Sequence, residues 1–498
     1  MLQAHPFRVY GTSGCCNKIK HLYLLYQTPV LYYMAKKMLL FFGLFLRTVF
    51  MLNGKVYYVS PKGEDDNPGT LKYPKSNIQE AIRLLHAGDT LFLRGGIYAL
   101  TESIQITVNG TPDRWINVLA YPGEIPFLDA AGVDNIVYDV KKKRLPMKGV
   151  VHILSSSFLR LSGLHVVNSH HISFLIQEPN THAIELTGCH AENSYGAGIA
   201  VWYADSVTIH QCVITGAGDI QLRPQGAPAE KKAPYDALVV GGAKYFTITN
   251  CHLSKCFRQG IVCCETCSYG TIRNNHLEHL QGSAMVLNAE YGVMSSIDLS
   301  NNRVHHCDFG LVLEAGGDNA ALQEISFHHN VIYENRGSGI VFSPAGYNGL
   351  RSKIYVYNNT VVKNGAAGHP AGSTGGIDLR SPRLSDVYVA NNIVWQNYAF
   401  EIATFNNILK GIDALLRFNI VITHNLVGTP VLEGEAPKGE WSRVYPYAGE
   451  NSLSADPLFM SLPNGDFRLQ PESPALHAGT TDLPFPADPH IGAYNSEN

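Results

Sequence analysis

Residues 301–315 read NNRVHHCDFGLVLEA, and the same pattern returns as HNVIYENRGSGIVFS from His329 and as NNIVWQNYAFEIATF from Asn391. In each copy an Asn stands two residues before the centre of a short apolar strand, and a Cys or Asn follows five residues after it. A second apolar strand comes shortly afterwards. A chain that repeats one pattern with most residues changed is typical of stacked structural units.

The repeat can be followed over nearly half of the sequence. Its first position holds Cys189, Cys212, Cys251, Asn275, Asn302, Asn330, Asn359, Asn392 and Asn425. The intervals run from 23 to 39 residues, which leaves room for three short strands but no helix. This period predicts a parallel β-solenoid in which each coil pairs with the next. Inward-facing Asn can bond backbone groups at a turn, and Cys is a small, readily buried substitute.

Composition agrees with a β-rich protein. The 498 residues are 45% hydrophobic and 16% charged, with 46 Gly and 26 Pro, which favours strands and turns over helical bundles. The formal net charge is −3 and no long basic run occurs, so a nucleic-acid partner is not expected.

The N-terminus predicts export. Residues 34–52 begin with Lys36 and Lys37 and continue as an apolar stretch that Arg47 interrupts. We therefore expect a signal peptide over residues 34–54, preceded by a non-native upstream extension, residues 1–33. The body would be secreted, periplasmic or on the cell surface, as a monomer and without a stable membrane span after signal removal.

The two ends of the body match a known family. Residues 55–98, KVYYVSPKGEDDNPGTLKYPKSNIQEAIRLLHAGDTLFLRGGIY, contain a capping-box signal at Ser76 and Gln79 before an apolar helix that Gly88 can close. This stretch resembles the opening of secreted right-handed parallel β-helix proteins of the pectate-lyase-like superfamily. The tail motifs DPLF, NGDFRL, SPAL and DPHIGAY resemble theirs too. The resemblance covers about residues 55–495 and implies a single-stranded right-handed parallel β-helix with a short N-terminal capping helix.

The resulting division of the chain is a strand and helix cap over residues 55–100, coils over residues 101–430 and a loop-rich C-terminal segment over residues 431–498 that packs on the helix. The resemblance implies a carbohydrate-active protein, since the superfamily includes pectate and alginate lyases and several glycoside hydrolase families.

Strand alternation predicts which side chains point outward. If Ile199, Leu238, Ile261, Met285, Leu311, Ile340 and Ile377 point inward, three outward files result. The leading file is Ala197, Asp236, Gln259, Ser283, Phe309, Ser338 and Gly375. The middle file is Ala200, Val239, Val262, Val286, Val312, Val341 and Asp378. The trailing file is Trp202, Gly241, Cys264, Asn288, Glu314, Ser343 and Arg380.

A catalytic carboxylate pair is the first functional hypothesis. Glu314 and Asp378 are two coils apart, so their carboxyl groups should lie roughly 10 Å apart before side-chain reach is considered. Inverting glycosidases need about 6.5–9.5 Å and retaining enzymes about 5–5.5 Å, and Glu290 lies one coil from Glu314, near the retaining spacing. The competing interpretation is that Asp378 forms a solvated ion pair with Arg380, which contributes little.

The substrate-binding residues expected around this pair are Arg380, Asn288, Asp236, Trp202, Arg258 and Tyr291. The favoured expectation is an exported polysaccharide-cleaving enzyme, a glycoside hydrolase that uses this carboxylate pair on the β-helix face and requires no cofactor. The alternative is a calcium-dependent lyase acting on uronate-containing glycans, with Glu265, Glu290 and Glu314 around the ion and Arg258 or Arg380 as base. The resembled lyases typically use Lys or Arg beside closely spaced acids, and the aligned strands here contain no Lys. A non-catalytic glycan-binding solenoid is a third alternative.

Overall fold

The computed structural model describes residues 54–133, 147–178, 180–224, 235–344, 348–369, 374–404, 412–429 and 445–494. The predicted upstream extension and all but the last residue of the predicted signal peptide lie outside these ranges. The β-structure belongs to one compact unit, Lys55–Asn498.

Three long parallel sheets form the body, and the chain visits sheets I, II and III in turn before starting the next coil. Sheet I contains β4 (Ile104–Ile106), β7 (Gly149–Leu154), β10 (Ile172–Gln177), β13 (Ile199–Trp202), β16 (Leu238–Gly241), β19 (Ile261–Cys264), β22 (Met285–Ala289), β25 (Leu311–Ala315), β28 (Ile340–Phe342), β31 (Ile377–Leu379), β34 (Ile402–Thr404) and, antiparallel at its edge, β37 (Tyr445–Pro446).

Sheet II contains β1 (Val56–Val59), β2 (Thr90–Leu93), β5 (Ile116–Ala120), β8 (Ser157–Ser162), β11 (His182–Thr187), β14 (Asp205–His210), β17 (Lys244–Thr249), β20 (Ser268–Arg273), β23 (Val293–Ser300), β26 (Ala321–His328), β29 (Leu350–Tyr357), β32 (Leu384–Ala390) and β35 (Ile420–Thr423).

Sheet III contains β3 (Gly96–Ala99), β6 (Pro126–Asp129), β9 (His165–Ser169), β12 (His190–Ser194), β15 (Val213–Ala217), β18 (His252–Ser254), β21 (His276–Glu278), β24 (Arg303–His305), β27 (Val331–Tyr333), β30 (Thr360–Val362), β33 (Ile393–Trp395) and β36 (Leu426–Val427). A separate hairpin of β38 (Phe459–Ser461) and β39 (Asp466–Leu469) belongs to the tail. The predicted all-β parallel β-helix is confirmed.

The Asn file explains the repeated Asn-Asn pairs of the sequence. At the corner between sheets II and III the first residue of each pair adopts a left-handed conformation, as Asn301 does with φ 55°. The second residue points inward: Asn302 accepts from the backbone of Asn275 at 3.0 Å and donates to Ile272 O at 2.9 Å. Asn330 repeats this pattern one coil further on. Each amide therefore satisfies backbone groups of its neighbours inside the core.

Cysteines occupy the same corner in the earlier coils. Cys189, Cys212 and Cys251 are buried, and their thiols lie 3.4–3.8 Å from backbone carbonyl oxygens. The second predicted position also forms a file, because Cys307 N donates to Asn335 Oδ1 at 2.9 Å and Asn335 N donates to Asn364 Oδ1 at 3.2 Å.

The N-terminal end is covered by a short helix, α1 (Ile78–Ile82). The predicted capping box was placed one residue early: the N-cap is Asn77, whose side chain accepts from Glu80 N. Asn77 has the extended backbone that an N-cap requires, whereas Ser76 bonds Asp65 instead. The Gln79 side chain bonds both backbone groups of Gln105 on the edge strand β4, at 2.9 and 2.8 Å. The exposed edge of sheet I is thereby protected.

The tail packs on the outer face of sheet III. Phe459, Phe467 and Ile491 form a second apolar cluster with Val331, Val362, Ile393 and neighbouring side chains. A second short helix, α2 (Ile412–Arg417), precedes β35. Among the described residues, no helix is both long and apolar enough to cross a membrane.

Candidate functional site

The outer face of sheet I has the register that the repeat predicts. Leu238, Ile261, Met285, Leu311, Ile340 and Ile377 are successive partners and point inward. The middle file from Ala200 to Asp378 follows the same ladder. Four of its five valines, Val262, Val286, Val312 and Val341, are buried against one another although they lie outside the main core. The centre of this face is therefore closed to solvent.

Polar groups lie along the trailing edge, where the outward side chains at the ends of the sheet I strands form the trailing file. Trp202 is half-buried, and its ring covers Gly241 of the next coil, where a Cβ would lie 2.2 Å from the ring. Cys264 pairs with Asn288, and Asn288 pairs with Glu314. Ser343 continues the file and donates to Glu314 Oε1 at 3.3 Å.

Glu314 is a half-buried carboxyl group at the end of β25. Burial raises its pKa above the ordinary value, while the Ser343 hydroxyl and the positive charge of Arg351 oppose the shift. Arg351 is fully buried and donates to Leu313 O at 3.2 Å and Gly349 O at 3.0 Å. A carboxyl group that retains its proton above the usual range can act as a proton donor.

Glu290 and Tyr291 extend the trailing edge into solvent. Both are exposed, and the Tyr291 hydroxyl donates to Glu290 Oε1 at 3.4 Å. Burial raises the pKa of Glu265, and the negative charge of Glu290 raises it further. The predicted one-coil separation of Glu290 and Glu314 holds, but Asn288 is the residue directly opposite Glu314. Glu290 is therefore a diagonal neighbour of Glu314, not a direct one.

Asp378 and Arg380 form a buried ion pair. Arg380 Nε lies 2.7 Å from Asp378 Oδ2. Arg380 is 3% exposed and Asp378 is 0% exposed. The predicted separation of two coils from Glu314 is correct, since Val312, Val341 and Asp378 are successive partners. The ion pair predicted as the competing interpretation is present, but the expectation that it is solvated was wrong because the surrounding face excludes water.

The remaining predicted residues lie on the opposite edge of sheet I. We call the side of sheet I on which its strands begin the leading edge. There Arg258 Nε donates to Asp236 Oδ1 at 2.9 Å, just before β19 and β16 begin. The buried valines separate this pair from Asn288, Glu290 and Glu314. The structure thus divides the predicted site residues between two edges of one face.

Two residues that the sequence did not single out belong to this face. His369 is 7% exposed at its side chain, and its Nε2 lies 3.0 Å from Asp308 Oδ1 on the leading edge. Arg351 lies beneath Glu314. No spacing signal identifies either of them, since His369 follows a Gly-rich turn and Arg351 interrupts an otherwise regular strand.

Ligand groups suited to a metal ion converge elsewhere. Among the described residues, sets of three or more whose ligand atoms approach within 4.8 Å are His252, His276 and Glu278, and His329, Asp488 and His490. Neither set lies on sheet I. Glu265, Glu290 and Glu314, the oxygen ligands expected for calcium in the lyase alternative, do not form such a set in the described structure.

Comparison with known proteins supports the architecture. The family model described as Pel9A-like, right handed beta helix region matches residues 57–219, and a second, described as Right handed beta helix region, matches residues 149–325. The predicted resemblance and the right-handed sense of the coil are confirmed.

Two curated relatives match parts of the chain. The chain is 32% identical over 142 residues to "Pectate lyase PEL9" of Emericella nidulans, which is 28% of this chain and 34% of that protein. It is 30% identical over 114 residues to "Uncharacterized protein YwoF" of Bacillus subtilis strain 168, which is 23% of each chain. The matches thus span about a third and about a quarter of those relatives.

A solved structure is similar over most of its length. The crystal structure of pectate lyase Pel9A superposes with a TM-score of 0.51 at 13% sequence identity, covering 89% of this chain and 96% of that chain. At that identity the likeness concerns the fold.

Proposed function

We propose that the chain is an exported enzyme that hydrolyses glycosidic bonds in a polysaccharide, built on a right-handed parallel β-helix like that of the proteins it resembles. The reacting groups would lie on the trailing edge of sheet I. The proposal rests on one observation above others, the half-buried Glu314 with its raised pKa beside exposed polar residues.

Glu314 is suited to the role of general acid. Hydrolysis requires a proton for the leaving glycosidic oxygen, and a carboxyl group that stays protonated above its ordinary range supplies it. The acid must be protonated to act, so activity should fall on the alkaline side. Because burial raises the pKa of Glu314, that alkaline limb should lie above the ordinary titration range of a glutamate.

Glu290 is suited to the role of general base. As the diagonal neighbour of Glu314 it is separated by roughly 8 Å between Cα positions in an ideal sheet. From that Cα separation the two side chains can place their carboxyl groups about 6.5–9.5 Å apart, the spacing that leaves room for an attacking water in inverting enzymes. Glu290 is exposed and therefore accessible to such a water. Asn288, opposite Glu314, is placed to orient the sugar through its amide.

Asp378 has a supporting role in this proposal. Its carboxylate is fully buried against Arg380, so it would hold the coils behind the site without touching substrate. Trp202 and the exposed Tyr291 offer flat apolar surfaces for sugar rings. Asp236 and Arg258 would contact only a chain that extends to the leading edge.

A calcium-dependent lyase is the second candidate, because the curated relative with 32% identity over 142 residues is a pectate lyase. The acidic trailing edge, with Glu265, Glu290 and Glu314, would favour a cation that carries a uronate carboxylate. The described strands of sheet I contain no Lys or Arg, however, so a basic residue for elimination would have to come from their flanks. This favours hydrolysis.

Product analysis separates the candidates. The purified protein is incubated with neutral polysaccharides such as xylan and with uronate polysaccharides such as pectate and alginate, with and without EDTA. Hydrolysis gives new reducing ends without the ultraviolet absorbance of unsaturated uronates, and EDTA leaves the rate unchanged. Unsaturated products that disappear with EDTA would overturn the proposal in favour of the lyase. Binding without new reducing ends on any substrate would support the glycan-binding alternative.

A further inference from the structure

Four ligand-type side chains converge on the outer face of sheet III, on strands of three successive coils. His252 of β18 pairs with His276 of β21, and Glu278 of β21 pairs with His305 of β24. His276 and Glu278 are two residues apart on one strand, so both point outward. All four side chains thus lie on the same side of the sheet.

The ligand atoms of His252, His276 and Glu278 lie within 4.8 Å of one another, and His305 approaches the last two. His252 Nε2 lies 3.0 Å from Glu278 Oε1, and His305 Nε2 lies 3.7 Å from Glu278 Oε2. His276 Nε2 lies 2.9 Å from His305 Nε2. Tetrahedral zinc with bonds of about 2.0–2.1 Å requires ligand atoms roughly 3.3 Å apart, and the three contacts of 3.0, 3.7 and 2.9 Å are close to that separation.

The groups around this cluster are also suited to a metal. His305 Nδ1 lies 2.7 Å from His306 Nδ1, and His306 Nε2 lies 3.6 Å from Glu334 Oε2. Bonds from the second ring nitrogen fix the orientation of a metal-binding histidine. Arg303 lies on the neighbouring strand, but its guanidinium donates to the Tyr333 hydroxyl at 2.7 Å and to Gly465 O at 3.2 Å. These bonds direct its charge toward the tail.

Stacking alone does not account for the arrangement. His165 and His190 occupy the same file in earlier coils and stack with ring centroids 3.9 Å apart, and no ligand set forms around them in the described structure. His252 and His276 also stack, at 5.0 Å, but here Glu278 and His305 approach their Nε2 atoms. The carboxylate and the third imidazole distinguish the two places.

We propose that His252, His276, Glu278 and His305 bind a divalent transition-metal ion of the zinc class. Imidazole and carboxylate suit zinc, whereas calcium and magnesium prefer sets made of oxygen alone. The ion joins β18, β21 and β24 and so fastens three coils on the face opposite to the interior. The site is independent of the proposed hydrolysis on sheet I.

Cobalt and zinc titrations of the untagged, metal-stripped full chain test the site. Binding of Co²⁺ should give the intense visible bands of a tetrahedral ion, and Zn²⁺ should displace it and raise the Tm, while Ca²⁺ and Mg²⁺ should do neither. The double substitution His276→Ala/His305→Ala should weaken binding by about 100-fold or more and abolish the zinc-dependent rise in Tm.

The matched control is His165→Ala/His190→Ala, which removes two stacked histidines of the same file and should leave binding and the rise in Tm unchanged. His329→Ala isolates any contribution of the set with Asp488 and His490. The proposal is overturned if the full chain shows no tetrahedral Co²⁺ spectrum, or if His276→Ala/His305→Ala binds both ions as tightly as the control. Circular dichroism of both double variants verifies that they are folded.

Discussion

Glu314 and Asp378 lie two coils apart on the same face of the same sheet, yet their surroundings are opposite. Glu314 ends its strand at an edge where Asn288, Glu290 and Tyr291 reach solvent, and burial raises its pKa. Asp378 replaces a valine in the closed centre of the face and is paired with Arg380 at 2.7 Å. Equivalent places in a repeat therefore do not imply equivalent chemistry, because the neighbouring coils decide whether a carboxylate meets water, a cation or a substrate.

The largest effect on stability is expected at Asp378, in the closed centre of the outer face of sheet I. Asp378→Asn leaves the buried guanidinium of Arg380 without its carboxylate, which should lower the free energy of unfolding by about 3 kcal/mol or more. Urea denaturation followed by circular dichroism measures the loss. Glu314→Gln is the control and should change the unfolding midpoint little. Equal urea unfolding midpoints for the two variants would show that the surroundings of Asp378 and Glu314 do not differ as described.

A third acid sharpens the contrast, because Glu401 is buried without a cation among its described partners. Its carboxylate accepts from Asn397 Nδ2 at 2.6 Å, and burial raises its pKa to about 7. The folded state thus holds this proton more tightly than the unfolded state. The stability that it contributes is complete below about pH 4.5 and is lost as the pH rises to about 7.

Glu401→Gln should remove this pH dependence and stabilise the protein at pH 8 by up to about 3 kcal/mol. Thermal unfolding of both proteins between pH 5 and pH 8 measures the difference. If the difference in Tm between the wild type and Glu401→Gln is the same at every pH, the pKa of Glu401 is not raised.

The Asn and Cys residues at the corner between sheets II and III test the stacking of the coils, on which the surroundings of both Glu314 and Asp378 depend. Asn330→Ala leaves Leu299 O and Asn302 N without the bonds at 2.9 Å that they now have, and should cost about 2 kcal/mol of unfolding free energy. Cys251→Ala, at the equivalent place in an earlier coil, should cost about 1 kcal/mol or less, because the thiol contacts are long and weak. If Cys251→Ala proves the more damaging in urea denaturation, the Asn file is not the stronger support.

The smallest effect, a change in KM, is expected for the exposed aromatic ring of Tyr291 on the trailing edge of sheet I. Tyr291→Ala should raise KM about fivefold, corresponding to roughly 1 kcal/mol of lost ring contact, with kcat little changed. Tyr245→Ala removes an exposed tyrosine of sheet II that stacks on Tyr269 and serves as the control. Initial rates over a range of substrate concentrations separate KM from kcat, and equal effects of the two substitutions would remove Tyr291 from the site.

The repeat predicted the register of this molecule closely, because apolar side chains at alternate positions and an inward Asn leave only one way to stack the coils. Asn302, Asn330 and Asn359 do form one file, and Leu311 and Asp378 lie where their spacing placed them. Local contacts were less predictable, as the shift of the helix cap to Asn77 illustrates.

Burial on the outer face was not predictable from alternation. The repeat shows which side chains point outward, but Val312, Val341 and Asp378 are buried by their neighbours across coils rather than along the strand. The separation of Asp236 and Arg258 from Glu314 likewise depends on the closed centre between the two edges. The position of Arg351 beneath Glu314 depends on the carbonyl groups of Leu313, in the preceding coil, and of Gly349, two residues earlier, and no sequence pattern records these contacts.

The kcat/KM of Glu314→Gln, on the polysaccharide that the product analysis selects, tests the central claim most directly. Loss of a general acid should lower kcat/KM by roughly 10²–10⁴-fold and abolish the alkaline limb of the pH profile, while the Tm stays close to that of the wild type. Glu192→Gln, which changes an exposed glutamate of sheet III, should leave both unchanged. If Glu314→Gln keeps the activity and the alkaline limb of the wild type, the catalytic role assigned to the open edge of sheet I is wrong.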